Sequence, residues 1–222
     1  MTTPSAALEV ALVDTRIGNV RSVERALAAA AERAGVVARI ERTADPAALA
    51  RADRVVVPGQ GAFRDFAAAL DRLELRAALL GALERGVPYL GICLGLQALF
   101  ESSEEAPEAR GLGWLAGTVV RLHPEPGVKI PHMGWNQLRL AAGGHPLLEA
   151  AGGERAWLYF VHSFHAVPSR PEVVRATVTH GASVVTAAVA SGAVFASQFH
   201  PEKSQDAGLA LLSAFLRDGA AE

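Results

Sequence analysis

Short apolar runs alternate with helical patterns through the first half of this 222-residue chain. Strands that are apolar on both faces lie inside parallel sheets, where the connecting helices cover the two sides. The alternation therefore predicts an α/β fold with a central, mostly parallel sheet and helices on both faces. Gly35 is expected to end the first helix. The predicted strands of this half are Leu8 to Val13, Val36 to Ile40, Arg54 to Val57 and Gly86 to Ile92, and the predicted helices are Val20 to Ala34 and Phe63 to Glu84.

The second half, from about residue 115, contains shorter apolar segments joined by Gly and Pro turns. We expect these strands to form an antiparallel or mixed extension of the same sheet, closed by a final helix at Gln205 to Arg217. The acidic segment Glu101 to Arg110 predicts a solvated loop. No repeat or linker marks a boundary, so one domain over residues 1–222 is expected. The predicted strands here are Thr118 to Leu122, Gln137 to Leu140, Trp157 to Val161, Val173 to Val178, Ser183 to Val189 and Val194 to Phe199.

Composition excludes several classes of function. The formal net charge is −2, from 21 Lys and Arg against 23 Asp and Glu, so neither nucleic acid nor an anionic membrane is an expected partner. The single cysteine excludes an intramolecular disulfide and argues against a cysteine-based zinc site, and we expect no metal or other cofactor. Met1 to Glu9 lacks the pattern of a signal peptide, and no apolar run reaches the ~18 residues of a membrane span. A cytoplasmic protein is therefore expected.

The lone cysteine, Cys93, lies where a predicted strand runs directly into a helix, in Gly91-Ile92-Cys93-Leu94-Gly95-Leu96-Gln97. Glycines on both sides let the backbone bend sharply and let neighbouring chain approach closely. A nucleophile on such a strand-to-helix elbow is exposed at the carboxyl edge of the sheet, and the helix N-terminus favours negative charge there. A lone cysteine is more often a small buried apolar residue, but the flanking glycines favour a nucleophile here.

A cysteine nucleophile needs a base and a group that orients the base. His200 lies in Gln198-Phe199-His200-Pro201-Glu202-Lys203-Ser204, after another predicted strand. Glu202, two residues further on, could fix the imidazole tautomer and stabilise its positive charge. His-Pro-Glu alone is a weak signal, because most such histidines are surface turn residues. Together with the cysteine elbow it predicts a Cys-His-Glu triad.

These two segments closely resemble the triad-bearing motifs of the class I glutamine amidotransferases, which have a flavodoxin-like fold. From Asp14 onward the chain resembles the glutaminase subunits of imidazole glycerol phosphate synthase within that family. Four segments make the chain more similar to these subunits than to other class I amidotransferases: Pro58 to Phe63, Ile130 to Asn136, Tyr159 to Ser163, and Lys203 with Ser204.

The resemblance implies a role for each matching residue. Cys93 would be the nucleophile, His200 the general base and acid, and Glu202 the orienting carboxylate. The backbone N–H groups of Gln60 and Leu94 would form the oxyanion hole, although an aliphatic residue often stands at position 60. Phe164 stands where an aromatic residue with a hydroxyl is common. The residues matching glutamine-binding positions are Gly61, Gln97, Glu105, Ser163 and Phe164.

The resemblance also implies a partner. The glutaminase subunits of imidazole glycerol phosphate synthase form a heterodimer with a cyclase subunit, which is a (βα)₈ barrel. They pass to it the ammonia released from glutamine. The positions matching family interface residues are Asn19, Pro131, Met133, Trp135, Asn136, Tyr159 and Lys203.

Two other interpretations remain. The chain could be another class I amidotransferase, although Pro58-Gly59-Gln60-Gly61 differs from the Pro-Gly-Gly-Glu-Ser sequence of the pyridoxal-synthase type, and no synthase domain follows the triad. It could also be a non-catalytic homologue that only binds or regulates a partner, although the triad residues are intact. Glutaminase assays with and without the barrel subunit would separate these readings.

Overall fold

Thirteen strands and seven α-helices make up residues 7–220, the part of the chain that this computed structural model describes. Residues 1–6, on which the expectation of no signal peptide partly rests, lie outside the described residues. The strands are β1 (Leu8–Val13), β2 (Ala38–Thr43), β3 (Arg54–Gly59), β4 (Tyr89–Cys93), β5 (Ser102–Ser103), β6 (Gly117–Arg121), β7 (His132–Gln137), β8 (Arg139–Leu140), β9 (Trp157–His162), β10 (Phe164–Pro168), β11 (Val174–His180), β12 (Ser183–Ser191) and β13 (Val194–Ser197). The helices are α1 (Val20–Ala34), α2 (Pro46–Arg51), α3 (Phe63–Arg72), α4 (Leu75–Glu84), α5 (Leu94–Gln97), α6 (Pro146–Ala150) and α7 (Gln205–Asp218).

The central sheet has eight strands in the order β2-β1-β3-β4-β13-β12-β11-β8. The first five are parallel to one another and follow the 2-1-3-4-5 order of flavodoxin-like sheets. The predicted fold class is thus confirmed. Because β3, β4 and β13 are neighbours and parallel, the segments that follow them meet at one edge of the sheet.

Helices cover both faces of this sheet. Val10 and Leu12 of β1 belong to the apolar cluster that contains α1 and α7, while Ala11 and Val13 belong to the cluster that contains α3 and α4. Successive residues of a strand point to opposite faces. The alternation along β1 therefore places one helical layer on each side, as the continuous apolar strands predicted.

The expectation that the whole second half extends the central sheet was only partly right. β12, β11 and β8 do extend it as antiparallel strands. However, β10, β6 and β5 form a separate three-stranded sheet, and β7 and β9 form a two-stranded ribbon. Exposed residues alternate along β7 with residues that are buried (His132) or partly buried (Gly134 and Asn136), so only one of its faces is turned towards the rest of the protein. The loop expected to be solvated also contains β5, where Ser103 is buried.

The first helix and its end agree with the prediction. α1 spans Val20–Ala34, and Gly35 caps it in the left-handed conformation at φ 65°. Several strand boundaries of the first half differ. β2 begins at Ala38 rather than Val36, and β4 begins at Tyr89 rather than Gly86. β2 and β3 also extend further than predicted, to Thr43 and Gly59.

The single helix predicted over Phe63 to Glu84 was wrong. Two helices, α3 and α4, replace it, with Glu74 in the left-handed region at φ 55° between them. Leu70 and Leu75 are both fully buried. A step of five residues on a continuous helix turns the side chain by roughly 140°, so an unbroken helix would have carried Leu75 away from the core. The break at Glu74 turns the chain so that Leu75 also packs in the core.

None of the helices in the described part of the chain combines the length and hydropathy that a transmembrane helix needs.

Candidate active site

Cys93 occupies a strained turn at the carboxyl edge of the sheet. It is the last residue of β4 and has φ 56°, a left-handed conformation that is uncommon for residues other than glycine. A Cβ on Gly95 would overlap the carbonyl oxygen of Val57, and one on Gly91 would overlap the carbonyl of Gly95. Both flanking glycines are therefore required by close packing. The predicted elbow is present, although the helix that leaves it, α5, has only four residues.

His200 and Glu202 lie in the segment after β13, beside this elbow. Nδ1 of His200 is 2.8 Å from Oε1 of Glu202, and their side chains are 1% and 2% exposed. Two hydrogen bonds connect this segment to β9 of the two-stranded ribbon. His200 N–H donates to the carbonyl of Tyr159 (2.9 Å), and Ser204 Oγ accepts from Tyr159 N–H (3.0 Å). The structure thus brings together all three residues of the predicted triad.

The charge state of His200 depends on both neighbours. Burial alone would lower the pKa of His200, but the Cys93 thiolate and the Glu202 carboxylate outweigh it and raise this pKa to about 9. Nε2 has no hydrogen-bond partner of good geometry among the described residues. Hydrogen bonds in catalytic sites are often loose before substrate binds and then tighten. The site therefore favours the protonated, imidazolium form of His200.

A cleft of about 370 Å³ opens beside Cys93. This volume lies within the range of small-molecule sites. The cleft is lined by all five residues predicted to bind glutamine, by both predicted oxyanion residues, and by Cys93 and His200. Two predicted interface residues, Pro131 and Lys203, also line it. The lining residues are Gln60, Gly61, Cys93, Leu94, Gln97, Glu105, Pro131, Val161, His162, Ser163, Phe164, His200 and Lys203.

Gln60 follows β3 and lies directly across from the elbow, because Gly59 pairs with Cys93 in the sheet. A Cβ on Gly59 would meet Leu94 at 2.6 Å and Phe66 at 2.7 Å. Gly59 is therefore needed to let the strand approach the elbow. Gly61 differs, since it has φ 100° and only Ile17 near the position of a Cβ.

Three substrate-binding candidates, Glu105, Gln97 and Phe164, already make hydrogen bonds within the chain. The carboxylate of Glu105 accepts a hydrogen bond from the backbone N–H of Phe63 at 2.8 Å. The carbonyl of Phe164 accepts from Gln97 Nε2 (2.9 Å) and lies 3.0 Å from His162 Nδ1. With both lone pairs of that carbonyl used, a substrate contact at this residue would involve its N–H group.

Gln198 also lies in the site, although the sequence motif that contains it indicated no role for this residue. Its Nε2 lies 3.5 Å from Cys93 Sγ, and its Oε1 lies 3.1 Å from Gln97 Nε2. The signal available in the sequence was its place two residues before His200, within the strand predicted over Val194 to Phe199; in the structure it directly follows β13. A buried amide there needs hydrogen-bond partners, and the partners could be identified only from the fold.

Two neighbouring histidines, His132 and His162, lie at the wall of the cleft, and His162 lines it. Nδ1 of His132 is 3.0 Å from Nε2 of His162, and Nε2 of His132 is 3.3 Å from Nδ2 of Asn136. Burial lowers the pKa of His162 to about 3, with neighbouring His132 adding to the effect, and burial with His180 lowers the pKa of His132 to about 4. Both imidazoles are therefore neutral. No three His, Cys, Asp or Glu side chains among residues 7–220 are arranged to hold a metal ion.

An exposed apolar face lies next to the triad on the ribbon. Met133 is 63% and Trp135 is 41% exposed. Trp135 packs edge-on against Tyr159, and the Lys203 ammonium lies 5.8 Å from the centre of the Tyr159 ring. Four of the predicted interface residues thus form one surface, which we call the ribbon face: Met133, Trp135, Tyr159 and Lys203.

The other three predicted interface residues have different environments. Asn19 is exposed and donates to Ser22 Oγ at 2.6 Å, and exposed Pro131 lies at the mouth of the cleft. Asn136 uses its side-chain amide within the chain, donating to the carbonyl of Thr179 at 3.0 Å and contacting His132.

Comparison with known proteins places this architecture in a family. The family model "Glutamine amidotransferase class-I" matches residues 11–218. The imidazole glycerol phosphate synthase subunit HisH of Synechococcus sp. (strain JA-3-3Ab) is 48% identical over 213 residues, covering 95% of this chain and 94% of that protein. The protein of the same name from Thermosynechococcus vestitus is 47% identical over 207 residues, covering 93% and 95%.

A solved structure described as a crystal structure of glutamine amidotransferase is similar in fold. It superposes with a TM-score of 0.65 at 22% identity, covering 93% of this chain and 97% of that chain. On the family model and the close relatives together, the chain belongs to the class I glutamine amidotransferase family, and within it to the imidazole glycerol phosphate synthase subunits HisH.

Proposed function

We propose that this chain is the glutaminase subunit of imidazole glycerol phosphate synthase, in histidine biosynthesis. One observation carries the enzymatic part of the proposal: the only cysteine of the chain lies on a strained elbow in an open cleft, beside a buried His200–Glu202 pair. The relatives that carry this subunit's name, close to half identical over nearly the full chain, favour it over other amidotransferases.

The first half-reaction is attack on the glutamine side chain. The Cys93 thiolate adds to the amide carbonyl carbon, and the developing oxyanion is bound by the backbone N–H groups of Gln60 and Leu94. One such donor is worth about 2.7–4 kcal/mol of transition-state stabilisation. The His200 imidazolium protonates the nitrogen as the C–N bond breaks, so ammonia leaves and a γ-glutamyl thioester remains.

The second half-reaction hydrolyses the thioester. Neutral His200 removes a proton from the attacking water, and Glu202 stabilises the imidazolium that forms. Breakage of the C–S bond releases glutamate and restores the thiolate–imidazolium pair. Each proton taken from water thus replaces the one that left with ammonia, and the cycle needs no metal ion or other cofactor.

The cleft supplies groups that match glutamine. The Glu105 carboxylate would bind the substrate ammonium group, while Gly61, Gln97 and the Ser163–Phe164 backbone would hold the rest of the amino acid. All of these residues line the cleft that contains Cys93.

The ammonia is proposed to pass to a cyclase subunit, a (βα)₈ barrel bound as a heterodimer, which forms imidazole glycerol phosphate and AICAR. Ammonia released into water would be protonated and lost, so the donor and acceptor sites must be joined. The ribbon face supports this arrangement because its exposed aromatic residues lie beside the triad, and aromatic residues are enriched at binding hot spots. We propose that residues 1–222 act as one amidotransferase domain and work in the cytoplasm.

The proposal is tested with the Cys93→Ala variant, assayed in complex with the cyclase subunit. Synthesis from glutamine should be lost, by roughly 10³-fold or more by analogy with other triad nucleophiles. Synthesis from added ammonium salt should continue, because the cyclase reaction does not use the thiol. Wild-type protein that binds the cyclase but never hydrolyses glutamine would instead indicate a non-catalytic homologue.

A further inference from the structure

We infer that Gln198 is a positioning residue for the nucleophile, whose side-chain amide donates a hydrogen bond to Cys93 Sγ and thereby favours the thiolate. This inference rests on the proposed function, since it assigns a role within the same active site. The donor atom, Gln198 Nε2, is 3.5 Å from the sulfur, and Gln198 is fully buried.

The amide cannot be turned round without losing hydrogen bonds. The carbonyl of Phe164 is an acceptor, so the atom of the Gln97 amide that meets it at 2.9 Å must be Nε2. The same Nε2 then offers its second hydrogen to Gln198, which must present Oε1 at 3.1 Å. This leaves Gln198 Nε2 facing the sulfur. One backbone carbonyl therefore fixes the orientation of two buried amides.

A thiolate in this position needs such a donor. Cys93 is only 6% exposed, so few water molecules can stabilise a charge on its sulfur. Hydrogen bonding to the charged form of a buried group favours that form. Nε2 of His200 makes no hydrogen bond of good geometry in this arrangement, whereas Gln198 Nε2 is already in position among the described residues. An amide N–H also keeps its proton at every working pH, unlike an imidazole.

The arrangement gives Gln97 a second role beside its predicted contact with glutamine. Both hydrogens of its amide are used within the chain, so only its carbonyl oxygen remains to contact a substrate. Because Gln97 Nε2 donates to Gln198 Oε1, a movement of Gln97 on substrate binding would also move Gln198. The distance from Gln198 Nε2 to Cys93 Sγ would then change.

The test is the rate of alkylation of the full chain by iodoacetamide across pH 5 to 10, followed by intact mass. Cys93 is the only cysteine in the sequence, so the added mass reports on this thiol alone. Two variants remove the donor: Gln198→Glu, which keeps the side-chain shape, and Gln198→Met. Ser197→Ala is the matched control, because Ser197 is the buried polar residue directly before Gln198 and its hydroxyl donates to the Phe199 carbonyl instead.

The pH of half-maximal alkylation should rise by about one unit in Gln198→Met, with the rate at pH 7 falling about tenfold, as expected for losing a hydrogen bond to a charged group. Gln198→Glu should shift it further, because a carboxylate would repel the thiolate. Ser197→Ala should match wild type. In the cyclase complex, the Gln198 variants should lower kcat for glutamine hydrolysis more than they raise KM.

An unchanged midpoint in both Gln198 variants would overturn the inference, as would an equal shift in Ser197→Ala, which would point to strand packing. If wild-type protein hydrolyses no glutamine but the Gln198 variants still shift alkylation, the proposed function fails while the hydrogen bond to the thiol stands.

Discussion

Two imidazoles in this chain are shifted in opposite directions by their neighbours. His200 faces a thiolate and a carboxylate, which overcome burial and raise its pKa to about 9. The titratable neighbours of His162 are other imidazoles, so burial lowers its pKa to about 3, and neighbouring His132 adds to the effect. An imidazole is thus favoured in its charged form beside Cys93 and in its neutral form at His162. Anionic partners, rather than burial, decide the difference.

The first prediction concerns the carboxylate. Glu202→Gln should move the alkaline limb of the kcat/KM profile for glutamine from near pH 9 to lower pH, because Glu202 helps to raise the pKa of His200. Maximal kcat should also fall, since a neutral amide stabilises the imidazolium less. The measurement is the pH profile of glutamine hydrolysis in the cyclase complex, with the exposed Glu84→Gln as the control for loss of a charge. An unchanged limb would show that Glu202 does not set the protonation of His200.

The second prediction concerns acid stability. Below about pH 6.5 the unfolded chain binds protons at His132 and His162, while the folded chain resists them down to about pH 4 and pH 3 respectively. The free energy of unfolding should therefore fall as pH drops from 6.5 towards 4, by up to about 1.4 kcal/mol per pH unit for each histidine. Urea unfolding at pH 7 and pH 5 measures the fall. An NMR titration should show that His162 stays neutral at pH 5, and a midpoint near 6.5 would contradict this account.

At the scale of elements, sequence patterns predicted the structural features that depend on residues close together in the sequence. α1 and its Gly35 cap are such features, since periodicity and a terminal glycine are local. The break at Glu74 was missed because an acidic residue in a left-handed conformation carries no ordinary turn signal. β7 was missed as a strand because its Gly and Pro neighbours and exposed alternate residues resemble a loop. Its pairing with β9 exists only in the folded chain.

The elbow provides the third prediction, through two glycine substitutions with opposite signs. Gly95→Ala should lower the free energy of unfolding by about 3 kcal/mol or more, because the new methyl group would overlap the Val57 carbonyl in a packed core. Gly81→Ala, inside α4, should raise it by about 0.5–1 kcal/mol, since its Cβ would meet only the guanidinium end of the Arg85 side chain, at 3.4 Å. Chemical denaturation of both variants measures the effect. An unchanged free energy of unfolding in Gly95→Ala would mean that the elbow is not closely packed.

At the scale of the molecule, the family and the fold class were predictable because the motifs lie at the ends of adjacent strands. The strand order then brings Gly59, Cys93 and the segment after β13 to one edge. What the sequence could not provide was the contact of Gln198 with the thiol, because a hydrogen bond between residues 105 positions apart depends on the completed sheet. The pairing of β10, β6 and β5, and of β7 and β9, in two small sheets separate from the central one was missed for the same reason.

The fourth prediction concerns the ribbon face. Trp135→Ala should weaken binding of the cyclase subunit by about tenfold or more, since truncating a central aromatic residue at an interface typically costs over 1 kcal/mol. Val37→Ala is the control, because Val37 is 72% exposed but precedes β2, at the opposite edge of the sheet. Calorimetric titration with the purified subunit gives both affinities. Comparable affinities for the two variants would place the interface elsewhere.

The position of β13 has a consequence for the protein while it is being made. β13 inserts beside β4, yet its residues are translated about a hundred positions later, as the 105-residue separation of Gln198 and Cys93 shows. A ribosome that has already exposed Cys93 has therefore not yet released His200, Glu202 or Gln198, the proposed base, orienting carboxylate and amide donor. Until the segment before α7 has emerged, the growing chain carries Cys93 without these neighbours. We therefore expect nascent chains that lack this segment to have no glutaminase activity.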